Sequence, residues 1–260
     1  AGVSLPRSVR RDKKSRLQHN RQVLFVGLIV YNRRGMRLTH GWNSLVRFGF
    51  RLLYNELAWT YDVVSWLVSL GEWRAWQRAA LPFVAGRDVL ELGHGPGHML
   101  LALQNARFDA IGLDLSPAMG RLAQTRTQRT VPLARGRGQD LPFGTAVFDT
   151  VLATFPTEYI VDPVTLASVA RVLRENGRFV IVPEGHLTGG GPLRSFIAWL
   201  FAITGQRPSV AQPVWSVEAV WQPYLARFSA AGFQVQSRHI NLARSQVTVI
   251  VAAKTPEQGM

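Results

Sequence analysis

Three carboxylates and three glycines are spaced along this chain in a way that could bind a positively charged nucleotide derivative. Residues 91–97 read Glu-Leu-Gly-His-Gly-Pro-Gly and follow the apolar pair Val89-Leu90. Glycines at 93, 95 and 97 let the backbone turn tightly and approach a ligand where a side chain would collide. A helix beginning just after them would aim its free amides at the same place. Asp114 stands 23 residues beyond Glu91, at the end of Ile111-Gly112-Leu113. A carboxylate there can accept both hydroxyls of a ribose. Ser116 followed by Pro117 competes better than Asp114 for capping the next helix. Asp140, in Gln139-Asp140-Leu141-Pro142-Phe143, can accept an adenine amine, with Leu141 against the ring.

Two nucleotide readings meet at this loop. The dinucleotide fingerprint Gly-x-Gly-x-x-Gly requires glycine at position 98, where His98 stands. Glu91 would also repel a pyrophosphate. It suits the ammonium and sulfonium of S-adenosylmethionine (AdoMet). The expected cofactor is therefore AdoMet, contacted by Glu91, Gly93, His94, Gly95, Gly97, Asp114, Leu115, Asp140 and Leu141. Thr154 to Tyr159 should border both cofactor and acceptor, with Phe155 among the cofactor contacts. Transfer of a methyl group from a sulfonium is an in-line displacement, in which alignment and exclusion of water matter most. A base is needed only where the acceptor loses a proton early. The candidates for it are Glu158, Tyr159, Glu184 and His186. His94 and His98 lie in the glycine loop and suit structure or cofactor contact. With no cysteine in the chain, disulfides and zinc–thiolate centres are excluded, a reducing cytoplasm is compatible, and no metal site is expected.

These residues need strand ends to hold them. Apolar runs predict strands at 88–92, 108–113, 131–135, 148–154 and 178–183, with helices at about 97–105, 117–128 and 163–174 between them. Two late strands, 233–240 and 246–253, are close enough to form an antiparallel pair. The predicted fold class is α/β: a Rossmann-like, doubly wound, seven-stranded sheet, mostly parallel with an antiparallel edge pair, plus an N-terminal helical extension. The predicted divisions are a basic arm at 1–40 with a short apolar run at 23–31, a helical cap or lid at 41–82, and a core at 83–255 with an insertion at 185–213. Gly71 should break the cap, with a further helix from Trp73 to Ala80. Within the insertion, residues 193–203 are strongly apolar and follow Gly189-Gly190-Gly191-Pro192. They suit a lid, a membrane contact or a helix packed on the core.

The chain has 260 residues and a net charge of +14. Residues 1–51 hold 12 Lys and Arg against one acid, a balance of +11, and the remaining residues balance at +3. Such an arm is drawn to anionic lipid or to nucleic acid, or is simply a solvated tail. Nucleic acid is disfavoured by the lack of aromatics among residues 1–22 and of a recognisable RNA module. No apolar run reaches the length of a membrane span.

The set Glu91 to Gly97, Asp114-Leu-Ser-Pro-Ala-Met119, Asp140-Leu-Pro-Phe143, Phe148-Asp149 and Arg171-Val-Leu-Arg-Glu-Asn-Gly-Arg178 resembles the class I AdoMet-dependent methyltransferases, methyltransferase type 11 group. The likeness covers roughly residues 54–184. It implies that the glycine loop and Glu91 hold the methionine part, Asp114 the ribose, and Asp140 with Leu141 the adenine. Ala58-x-x-Tyr61-Asp62 and Ser69-x-Gly71-x-x-Arg74-x-Trp76-x-Arg78 are similar to the start of the ubiquinone/menaquinone C-methyltransferases. That likeness implies that Tyr61 helps close the cofactor pocket. After strand four those enzymes carry a Phe-Gly-x-Arg-Asn type sequence, where this chain reads Phe155-Pro156-Thr157-Glu158-Tyr159. The expected activity is methyl transfer to a small, apolar or lipid-like acceptor at a membrane surface. An RNA-directed enzyme and a non-catalytic interaction module are the alternatives.

Overall fold

The structure, a computed structural model, describes residues 60–188 and 217–256, with the backbone alone for residues 68 and 217–223. The basic arm, the apolar run 23–31, the start of the cap and the segment 193–203 lie outside the described residues.

The described chain runs α1 (Tyr61–Ser69), α2 (Trp73–Arg78), β1 (Asp88–Leu92), α3 (His98–Asn105), β2 (Asp109–Asp114), α4 (Pro117–Arg126), β3 (Leu133–Arg135), β4 (Phe148–Thr154), α5 (Pro163–Val172), β5 (Leu173–Val182), β6 (Gly185–Leu187), α6 (Val217–Ala230), β7 (Phe233–Asn241) and β8 (Ser245–Lys254). Strand order is β3-β2-β1-β4-β5-β8, with β7 on the outer edge of β8. The first five strands are parallel, and β7 and β8 are antiparallel. The expected α/β sheet with an antiparallel edge pair is what forms.

Two elements differ from expectation. The predicted insertion opens with a strand: β6 pairs with β8 at residues 245–247, on the edge of β8 that β5 occupies at 250–253. It continues the line of β5 with the register displaced by one residue across Pro183-Glu184. Pro183 offers no N–H to a ladder, so a break falls naturally there. The second difference is α6, a 14-residue helix where none was predicted. Its Tyr224 and Phe228 are buried against the sheet with Phe233.

Burial on both faces explains why β1 and β4 read as continuous apolar runs. Leu90, Leu92, Val151 and Phe179 pack with α5 and α6. Val89, Leu152, Val180 and Val182 face the other way, onto Met99, Leu100 and Leu103 of α3 and onto Trp73 and Trp76 of α2. Side chains alternate along a strand, so Glu91 shares the face of Val89 and looks into the layer that holds α3 and the cap.

The cap turns between its helices at Leu70 (φ 50°) and Gly71 (φ 86°). It is fastened to the sheet at three points. Trp76 Nε1 donates to Ser245 Oγ (2.9 Å), Gln77 Nε2 to Thr154 Oγ1 (3.0 Å), and Ser245 Oγ to Glu72 Oε2 (2.8 Å).

Candidate functional site

The carboxyl ends of β1 and β2 build the site from backbone geometry. Gly93, Gly95 and Gly97 all have positive φ, at 73°, 52° and 83°. Two of them matter for different reasons. A Cβ on Gly97 would stand 2.8 Å from the Cβ of Ala123, so glycine lets the loop rest on α4. A Cβ on Gly95 would meet nothing within 4 Å; its left-handed backbone, not crowding, excludes a side chain there.

Asp114 organises this loop. Its Oδ2 accepts from the Gly95 amide (2.9 Å) and its Oδ1 from the Ser116 amide (2.8 Å). Each carboxylate oxygen keeps a further lone pair for a ligand. Ser116, not Asp114, caps α4, accepting from the Met119 amide (3.3 Å). Leu115 follows with its side chain 52% exposed, a free apolar surface at the lip of the site.

Glu91 is the anomaly of the region. It is fully buried, and neither carboxylate oxygen makes a hydrogen bond of ordinary geometry. Burial raises its pKa well above the usual carboxylate range, the charge of Asp114 raises it further, and the Leu100 amide opposes them. A buried carboxylate with no partner is costly, and native structures rarely keep one without a use.

The two loop histidines have separate roles. His94 is buried against Gly112, and its Nδ1 donates to the Gly95 carbonyl (2.7 Å). Burial lowers its pKa, so the ring is neutral and carries its proton on Nδ1. His98 opens α3 and meets the cap: its Nε2 donates to Asp62 Oδ1 (2.7 Å). The other oxygen of Asp62 accepts from Arg126 (2.5 Å), which also donates to the Pro96 carbonyl. One cap carboxylate thus ties α1 to the glycine loop, α3 and α4. Sequence reasoning missed this connection, although Asp62 and His98 were both in view; their separation of 36 residues hid it.

An aromatic wall stands at the end of β4. Phe155 stacks on Trp73 with ring centroids 4.0 Å apart, and Trp76 and Tyr61 adjoin them at 6.1 Å from Phe155 and 6.4 Å from Trp73. Trp73 Nε1 and Gln77 Oε1 are buried in this region without hydrogen-bond partners. Tyr159 reaches the loop, its hydroxyl lying 2.8 Å from where a Gly93 Cβ would stand.

The remaining candidates divide. Glu184 and His186 form a pair, Nε2 to Oε1 3.3 Å, just past the end of β5, and Trp76 lies directly over the intervening Gly185. Glu158 and Asp140 are exposed. Leu141 corrects an expectation: its side chain is buried in the core beside α5, its amide is bonded to Ser168 Oγ and its carbonyl to Arg171. It has no surface left for an adenine ring, because the apolar side chain gains more from the core. A cavity of about 650 Å³ lies elsewhere, at the amino ends of the strands between Asp88, Asp109, Phe108 and Phe148. It holds none of the residues above. Among the described residues no group of His, Asp and Glu has metal-binding geometry.

A family profile described as a methyltransferase domain matches residues 90–181. The demethylmenaquinone methyltransferase of Tropheryma whipplei (strain Twist) is 31% identical over 141 residues, covering 52% of this chain and 59% of that protein. The demethylmenaquinone methyltransferase of Mycobacterium sp. (strain JLS) is 35% identical over 133 residues, covering 50% of this chain and 56% of that protein. The chain therefore spans less than two thirds of the length of these curated relatives. In fold it is similar to a putative S-adenosyl-L-methionine-dependent methyltransferase of Methanococcus maripaludis, with a TM-score of 0.53 at 16% identity, covering 80% of this chain and 96% of that one.

Proposed function

We propose that this chain, whose residues 90–181 match a methyltransferase-domain profile, is a class I AdoMet-dependent methyltransferase that acts on a small, apolar, quinone-like acceptor. The observation that carries the cofactor assignment is Glu91: a buried carboxylate with no hydrogen bond of ordinary geometry, at the head of a glycine loop, is a site for the ammonium of a methionine moiety. Asp114 supplies acceptor lone pairs for the ribose hydroxyls. Leu115 offers an apolar surface to the adenine and Asp140 a carboxylate to its amine. Gly93 to Gly97 keep the wall thin where the methionine part lies. When bound, AdoMet supplies the methyl group, its sulfonium becoming a neutral thioether.

The chain's own residues do the rest by position. Phe155 and Tyr61, half-buried and backed by the buried Trp73 and Trp76, form a wall suited to a flat apolar ring, and aromatic faces also favour a nearby cation. Packing the ring against that wall excludes water and fixes its distance from the donor. Methylation of an aromatic ring or hydroxyl releases one proton, and the Glu184–His186 pair is the candidate to receive it. The names of the relatives, demethylmenaquinone methyltransferases, support a quinone-like acceptor. The polycationic arm supports work at an anionic membrane surface.

The test uses methyl-labelled AdoMet with a reduced naphthoquinone that lacks its ring methyl. Label should appear in the quinol, and Glu184→Gln should lower kcat with little change in KM for AdoMet. Calorimetry should find AdoMet binding that Asp114→Ala weakens by about 100-fold, on the order of 2.7 kcal/mol. Unchanged affinity in that variant would falsify the cofactor site. Label in RNA and none in quinols would overturn the acceptor.

A further inference from the structure

Helix α1 is built inside out. Among its described side chains the buried ones are small and hydroxylated: Ser65 and Ser69 lie against the protein. Their hydroxyls are used up within the cap, Ser65 Oγ donating to the Asp62 carbonyl (3.1 Å), Ser69 Oγ to the Ser65 carbonyl (2.6 Å), and the Trp73 amide to Ser69 Oγ (3.0 Å). Three large apolar side chains face out: Val63 is 65% exposed, Trp66 61% and Leu67 45%. Positions 63, 66 and 67 fall at i, i+3 and i+4, so they form one ridge. A surface helix ordinarily turns such a stripe toward the core, and an exposed one marks a surface made for an apolar partner. The Trp66 indole extends the ridge to the end of the helix, with Nε1 3.2 Å from where a Gly71 Cβ would stand.

We propose that the ridge Val63–Trp66–Leu67 docks into the interfacial layer of an anionic lipid bilayer. Charge selects lipid over a protein partner. Arg74 and Arg78, one turn apart on α2, are exposed and follow the ridge in sequence. On its other side in sequence, residues 1–51 carry 12 bases against one acid. An apolar stripe with tryptophan, flanked by basic residues, is the pattern of a helix lying in a membrane interface. The same nine-residue helix reaches the glycine loop through Asp62 and His98. Its outward face then sits on the bilayer while its inward face closes the site, so an apolar acceptor leaves the lipid beside the helix. This route rests on the methyl-transfer reading; the docking does not.

The chain has no cysteine, so Leu67→Cys gives a unique attachment point for an environment-sensitive fluorophore on the full chain. Vesicles of phosphatidylcholine with phosphatidylglycerol should shift its emission to the blue, and nitroxide-bearing lipid should quench it. The same dye at Glu175→Cys, an exposed position at the amino-terminal pole of the sheet, should not respond. The triple variant V63S/W66S/L67S should bind these vesicles about tenfold or more weakly, as loss of the buried apolar area requires, with its AdoMet affinity unchanged. An unresponsive dye at residue 67 on protein that floats with the vesicles would overturn the proposal in favour of attachment by the arm alone. So would a triple variant that turns a dimer into a monomer in sedimentation while binding vesicles as before, since a second copy would then own the ridge. Docking that persists in protein unable to bind AdoMet would sink the methyl-transfer reading and leave the ridge standing.

Discussion

The two ends of the parallel strands hold carboxylates in opposite circumstances. At the amino end, Asp149 accepts from the Arg87 amide (2.8 Å), the Asp88 amide (3.0 Å) and the Arg174 guanidinium (2.7 Å), which also bonds Asp88 (2.8 Å). Burial pushes the Asp149 pKa up, but the hydrogen bonds from Arg174, Asp88 and Arg87 together hold it below the usual value. At the carboxyl end Glu91 has no such bonds, and its pKa is pushed the other way. A carboxylate whose lone pairs are filled by its own chain stabilises the fold. One buried and left unfilled weakens the fold and awaits a cation.

Substitutions at the two ends should therefore separate stability from binding. Glu91→Gln is expected to weaken AdoMet binding by about 30-fold or more, on the order of 2 kcal/mol, without lowering Tm. A lower Tm with intact affinity would put Glu91 on the structural side of the comparison. Asp149→Ala should do the reverse, costing about 2–3 kcal/mol of stability in denaturant titrations while the folded protein keeps its AdoMet Kd. A large loss of affinity there would erase the distinction.

Protons offer a finer test. The raised pKa of Glu91 means that the free protein holds a proton which the unfolded chain would release, so Glu91 costs stability as pH rises through its folded value. A bound ammonium favours the ionised form. AdoMet affinity should then increase as pH rises through that value, and binding should release protons. Calorimetry in buffers of different ionisation enthalpy measures that release, and its absence would remove Glu91 from the cation site. The smallest effect belongs to His98. Burial lowers its pKa against the pull of Asp62. The unfolded chain then binds the proton first, and stability falls as pH drops below about 6.5. His98→Gln should flatten that part of the Tm profile.

The sheet was legible because burial on both faces demands apolar runs, and β1 and β4 end where those runs end. The cap was legible only as helices separated by Gly71. Its inverted polarity was not, since Val63, Trp66 and Leu67 look like a core stripe until neighbours are known. Leu141 failed in the opposite direction: its place after Asp140 suggested a ligand contact, and packing against α5 took it into the core.

By itself the sequence determined the glycine loop, the spacing of Glu91 and Asp114, and the α/β alternation that brings them to adjacent strand ends. These follow from local rules: glycine for left-handed backbone, apolar period for strands, Ser-Pro for a helix start. Only the tertiary structure decided which polar groups are satisfied. Whether Glu91 is paired, whether Asp62 meets His98, and which way α1 faces depend on residues distant in sequence. A carboxylate's chemistry is set by what lies within a few ångströms of it, and the order of the chain does not record that.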